Sequence, residues 1–142
     1  MQLLKYLVSL IAIITAIPFT QVQASNNEAG AAAIASANEW LLMVDEGDYE
    51  NSWNNAASYF KERITIHGWK KAAASARKPL GKLLSRKLKS KTFVTQLPSS
   101  PKGEYEVIQF ESSFKNKKYA IETITPMLDT DKKWRVSGYY IK

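Results

Sequence analysis

The residues able to do chemistry are few. His67 is the single histidine of the chain. A general base needs a partner to orient it and a substrate within hydrogen-bond reach, and Ile66-His67-Gly68-Trp69 supplies no partner. It reads as a lone imidazole at a helix start. Glu111 and Glu122 are a stronger pair, because the hairpin turn expected at Lys115–Lys118 sets them on adjacent strands. Two close carboxylates split their pKa values and can serve as acid and base. The alternative is that each pairs with a basic neighbour such as Arg86 or Arg135. Glu122 interrupts the apolar face Ala120–Ile124, so it either lines a pocket or is paired. Arg77 and Arg86 flank Pro79-Leu80-Gly81. Their planar forks suit a carboxylate or phosphate ligand at the mouth of the sheet, or equally an internal clamp on Asp45 or Glu46. Asp129 and Asp131 begin like a calcium loop but lack the glycine at the sharp turn and the closing glutamate, and so predict a turn. No metal-ligand cluster, nucleotide loop or catalytic motif is present, and no cofactor is expected.

Charge narrows the partners. The chain of 142 residues carries a formal net charge of +7, unevenly spread. From Lys61 to Lys91 basic residues recur with Glu62 as the lone acid, whereas Glu28–Glu50 is acidic. Either the two segments lie together or the basic span is an anion-attracting face. The N-terminus bears on which anion. Met1–Lys5 holds one positive charge, Tyr6–Phe19 is apolar, and Thr20–Ala24 turns polar and ends in Val22-Gln23-Ala24. This is the order of a cleavable secretory signal peptide, with cleavage expected after Ala24. The apolar run is short of the ~20 residues a spanning helix needs. Domain organisation is therefore a leader, Met1–Ala24, and one domain, Ser25–Lys142, with no membrane anchor after cleavage. Export to the periplasm or beyond argues against nucleic acid as partner and for an anionic ligand or envelope component. There is no cysteine, which excludes a lipoprotein anchor and any disulfide.

The elements that must position these groups follow from periodicity. Ala33, Ala37, Trp40, Leu41 and Val44 recur at helical spacing and predict a helix from near Glu28 to Val44, with Asn27 as its cap and Ser25–Ala29 fraying. Gly47 suits the position after its end. A second helix is expected over Tyr49–Arg63, with Trp53, Ala56, Ala57 and Phe60 inward. A third, over Ile66–Lys78, carries Trp69, Ala73 and Ala76 and stops at Pro79 and Gly81. Then the texture changes to strands: Leu83–Leu97, Glu104–Phe114, Tyr119–Met127 and Trp134–Ile141. In the second, Glu106, Ile108, Phe110, Ser112 and Phe114 share a face. In the last, Trp134, Val136, Gly138 and Tyr140 do. Helices followed by an antiparallel meander make an α+β domain, about three helices packed on a four-stranded sheet.

These residues carry a resemblance. Trp40-Leu41 through Val44-Asp45, Gly47 to Tyr49, Ser52-Trp53, Ala56-Ala57, Phe60 and Trp69 match the bacterial exported domain-of-unknown-function family DUF4019. So do Arg77, Pro79-Leu80-Gly81, Ser85-Arg86, Leu97-Pro98, Gly103-Glu104-Tyr105, Phe110, Phe114, Glu122-Thr123 and Trp134 to Gly138-Tyr139-Tyr140-Ile141. The resemblance implies no activity. The helix–sheet order is also similar to cystatin-like and nuclear transport factor 2-like folds, in which a curved sheet wraps a helix and often leaves a conical pocket. Such folds host enzymes and binding modules alike.

Together these readings lead to an exported binding or accessory domain with Arg77, Arg86, Glu111 and Glu122 as its expected contact residues. The alternatives are a small pocket enzyme with Glu122 or His67 as proton shuttle, and an envelope-stress or maintenance protein acting through its basic face.

Overall fold

The computed structural model describes the backbone of residues 20–142 and the side chains of residues 26–142. The apolar run of the expected leader, and the side chains at the expected cleavage point, lie outside the described residues. No helix among those described is long and apolar enough to cross a membrane.

Four helices precede four strands: α1 (Thr20–Asp45), α2 (Tyr49–Asn54), α3 (Ser58–Arg63), α4 (Ile66–Arg77), a 3₁₀ turn (Lys78–Leu80), β1 (Leu83–Val94), β2 (Tyr105–Phe114), β3 (Lys117–Leu128) and β4 (Trp134–Ile141). The strands form one open antiparallel meander in the order β1-β2-β3-β4. The helices cover one face, and α1 lies across β4, β3 and the near part of β2. This is the α+β arrangement expected from the sequence.

Two helical boundaries differ from the periodicity reading. Helix α1 continues N-terminally through Asn27 to Thr20. No proline or glycine stands between Pro18 and Gly30 to stop it, so Asn27 is an interior residue and not a cap. The single helix expected over Tyr49–Arg63 is two. At Ala57 the backbone turns extended, with φ −59° and ψ 152°, and its N–H donates to the Val136 carbonyl at 2.8 Å. Helix α3 restarts at Ser58, whose N–H donates to Asp129 Oδ2 at 3.0 Å. The cap therefore comes from the far end of β3, 71 residues away.

The core lies between α1 and the sheet. Ala37, Trp40, Leu41 and Val44 of α1 meet Ile108, Phe110, Ile124 and Val136 of the strands, with Phe60, Trp69 and Ala73 from α3 and α4. Its aromatic centre is tied by Ser52, which is fully buried. Trp40 donates its indole N–H to the Ser52 carbonyl at 2.7 Å, and Trp69 donates to the Ser52 hydroxyl at 2.9 Å. The two indoles lie 5.3 Å apart, so burial of both rings leaves neither N–H without a partner. The Glu106–Phe114 alternation holds as expected, with all five inner positions buried.

Strand β4 does not keep a simple alternation. Thr125 pairs with Gly138, but Pro126 pairs with Val136, so Ser137 is an extra residue. Proline has no N–H to give to a ladder and sits within sheets at bulges or edges. Here Pro126 lies in the inner strand β3, and β4 bulges beside it, with the Ser137 hydroxyl donating to the Thr125 carbonyl at 2.7 Å. The bulge resets the phase. Val136 and Tyr139 both turn inward, and Tyr140, which simple alternation sets on the face of Val136, is 61% exposed.

Candidate functional site

Two inward helical stripes end in a charged residue, and the inward stripe of β3 is interrupted by one. On α1 the series Ala37, Leu41 runs on to Asp45. On α4, Trp69 and Ala73 run on to Arg77, which takes the inner place that the periodicity assigned to Ala76. On β3, Glu122 replaces an apolar residue between Ala120 and Ile124. Helical residues four apart share a face, as do strand residues two apart, so the stripes deliver these groups to one place. Arg86 of β1, Ser112 of β2 and Tyr139 of β4 complete the set.

Arg86 spends its whole fork on two carboxylates. Its Nη1 and Nη2 donate to Asp45 Oδ2 and Oδ1 at 2.7 and 2.9 Å. Its Nε and Nη2 donate to Glu122 Oε1 and Oε2 at 2.8 and 3.1 Å. Arg77 Nη2 donates to Asp45 Oδ1 at 2.6 Å, and its Nη1 lies 3.7 Å from Glu122 Oε2. Glu122 is fully buried and also accepts from the Ser112 hydroxyl and the Tyr139 phenol, each at 2.6 Å. Two cations and two anions close a neutral group, the form in which buried charge is tolerated.

The electrostatics agree. Burial alone would depress the Arg86 pKa. The hydrogen bonds to Asp45 and Glu122 outweigh it, and the guanidinium is held above its ordinary value. Burial raises the Tyr139 phenol well above its usual range, and the Glu122 charge beside it adds to this. Arg77 is likewise held above its ordinary value, with burial opposing and Tyr139, Asp45 and Glu122 prevailing. Its guanidinium stacks 4.8 Å from the Phe114 ring centre.

Of the four expected contact residues, Arg77, Arg86 and Glu122 are gathered here. Glu111 is not. It pairs in register with Ile121, one residue short of Glu122, so the two glutamates occupy opposite faces. Glu111 is exposed and meets Lys89 at 3.3 Å. Of the two arginine readings, the internal clamp is the one with contacts, and its anchor is Asp45. His67 sits exposed on the first turn of α4. Asp129 and Asp131 form a turn, both facing Arg135 at 3.5 and 2.6 Å. No cluster among the described residues has the composition of a metal site. The sequence reading missed Tyr139 and Ser112. Pro126 was the available signal for the first, since a proline within a strand pattern marks a bulge.

Beside this group lies a cleft of about 570 Å³ between the ends of α1 and α4 and the start of β1. Asp45 and Arg77 line it, with Glu46, Lys70, Lys78 and Lys82. Lys70 is paired with Glu50 at 3.0 Å. Lys78 and Lys82 have no ion-pair partner among the described residues.

A family model described as "Protein of unknown function (DUF4019)" matches residues 36–139. That span holds every member of the buried charge group. Neither a curated protein nor a solved structure matches the chain.

Proposed function

Because the chain belongs to the DUF4019 family, whose description names no activity, we propose that it is an exported, periplasmic binding domain taking a small anionic ligand in the cleft beside Arg77. The observation that carries this is the pair of unpartnered lysines, Lys78 and Lys82, on a cleft of ligand size. Lys78 opens the 3₁₀ turn Lys78–Leu80 and Lys82 follows it, and both line the cleft. The commitment of Glu122 favours binding over proton transfer. Both its oxygens are engaged by Arg86, with Ser112 and Tyr139 taking further lone pairs. Export is supported by the leader-like N-terminus of the sequence.

Native mass spectrometry of the protein purified from a periplasmic extract tests both parts. The expected mass is that of Ser25–Lys142 carrying a reproducible anionic adduct, which Lys78→Glu with Lys82→Glu removes. A mass retaining residues 1–24 overturns export. A bare mature mass in the unmodified protein overturns the ligand reading.

A further inference from the structure

Strand β1 is the least covered element of the sheet. It is 12 residues long, and no position in it is fully buried. As the first strand of an open meander it has β2 on one side only. Half of its backbone groups therefore point away from the ladder, a ready template for another strand. Helix α1 lies mainly over β4 and β3 and leaves most of β1 uncovered, and the consequence shows in its inner side chains. Leu88 stands opposite Phe110, and Phe93 opposite Glu106. They are 50% and 46% exposed, although their register places them on the core face.

The charge of this edge is one-sided. Leu83–Val94 contains Arg86, Lys87, Lys89 and Lys91 and no acid. Arg86 is spent on the buried group and Lys89 on Glu111. Lys87 and Lys91 have no ion-pair partner among the described residues. Bulges at Leu84 and Lys89 interrupt the strand, but Ser90–Val94 runs in unbroken register against Gln109–Tyr105. Five residues is the length of an ordinary strand pairing. The opposite edge differs. β4 is covered by α1, and its Arg135 is held by Asp131.

We propose that β1 is a docking edge for an acidic, extended segment of another protein, which pairs with Ser90–Val94 as a fifth strand. Its backbone completes the unpaired ladder. Its apolar side chains cover Leu88 and Phe93 on the inner face, and its carboxylates, on the other face of the same strand, meet Lys87. A second copy of this chain fits poorly, because β1 against β1 sets lysines beside lysines, and like charges across a strand pair are destabilising. Strand addition of this kind draws affinity from the main chain and selectivity from alternate side chains.

The probe is a 12-residue peptide alternating Glu with Val, matched to the length of β1, with a Lys–Val peptide as its opposite. Amide hydrogen exchange on the unmodified protein is read with and without each. The Glu–Val peptide is expected to protect amides of Ser90–Val94 and leave β4 unchanged. Its affinity is expected to fall roughly ten-fold or more between about 0.01 and about 0.15 M salt, as screening shortens the reach of the lysines. Lys87→Glu should abolish that protection, with the circular dichroism spectrum confirming the fold. No binding, equal binding of the Lys–Val peptide, or protection confined to other elements overturns the proposal. So does protection of β1 by anionic phospholipid vesicles and not by the peptide, which would make the edge a membrane contact. A dimer that protects Ser90–Val94 without peptide would equally overturn it. The cleft near Lys78 is a separate site, so the adduct experiment stands or falls independently.

Discussion

Glu111 and Glu122 are displaced by one register position across the β2–β3 ladder, and that single residue separates a solvent-facing carboxylate from a fully buried one. Strand side chains alternate, so a shift of one changes the face. Glu122→Gln removes one charge from a closed group of four and leaves the arginines undercompensated. It should destabilise the fold by about 3–5 kcal/mol, read as a lower urea midpoint. Glu111→Gln breaks only the exposed pair with Lys89 and should hardly move the midpoint.

Ser52 serves both indoles, through its carbonyl for Trp40 and its hydroxyl for Trp69. Ser52→Ala keeps the first bond and orphans the Trp69 N–H. A loss of about 1–3 kcal/mol is expected, the cost of a buried donor without an acceptor. Tryptophan emission during unfolding reports it, and Trp69→Phe in the same background should recover part of the loss.

The raised Tyr139 phenol gives a test at high pH. Its folded pKa lies above its unfolded value of 10.0. Its contribution to stability is thus fully present below pH 10 and is lost as pH climbs above that toward the folded value. In a spectrophotometric titration the folded protein and its Tyr139→Phe variant should show the same phenolate absorbance until the wild-type chain unfolds. One further phenolate should then appear in the wild type that the variant lacks.

Asp131 gives the opposite sign at low pH. Its bidentate hydrogen bonds from Arg135 hold its pKa down to about 2, against 3.8 unfolded. The stability this confers is present above about pH 4 and is lost as pH falls toward 2. The urea midpoints of wild type and Asp131→Asn should differ modestly at pH 6 and converge by pH 2.

Much of the architecture was legible in the chain because periodicity and breakers pointed the same way. Pro79 and Gly81 divide helix from strand, and the alternation through Ile108, Phe110 and Ser112 sets the buried face of β2. The site was half legible. Arg77, Arg86 and Glu122 were singled out by type, since an arginine or glutamate in an apolar series needs a partner. Which partner they found was not legible, because Asp45 and Glu46 are equally acidic and only the phase of α1 brings Asp45 inward. Simple alternation separates Tyr139 from Val136, and one bulge, which shifts every later residue of its strand, brings the two to the same face. The break at Ala57 was hidden because its causes, the Val136 carbonyl and the Asp129 carboxylate, are remote in sequence.

That remoteness bears on how the chain acquires its shape. A helix of 6 residues cannot pay for its own nucleation in water, and α3 takes its first hydrogen bond from a carboxylate at the end of β3. Asp129 is fixed in turn by the β3–β4 turn, where Asp129 accepts the Thr130 N–H at 2.9 Å. The last hairpin to leave the ribosome thus supplies the anchor for a segment made long before it. Helix α3 should be among the latest parts to order during refolding, and Asp129→Ala should slow little before that step while speeding its reversal.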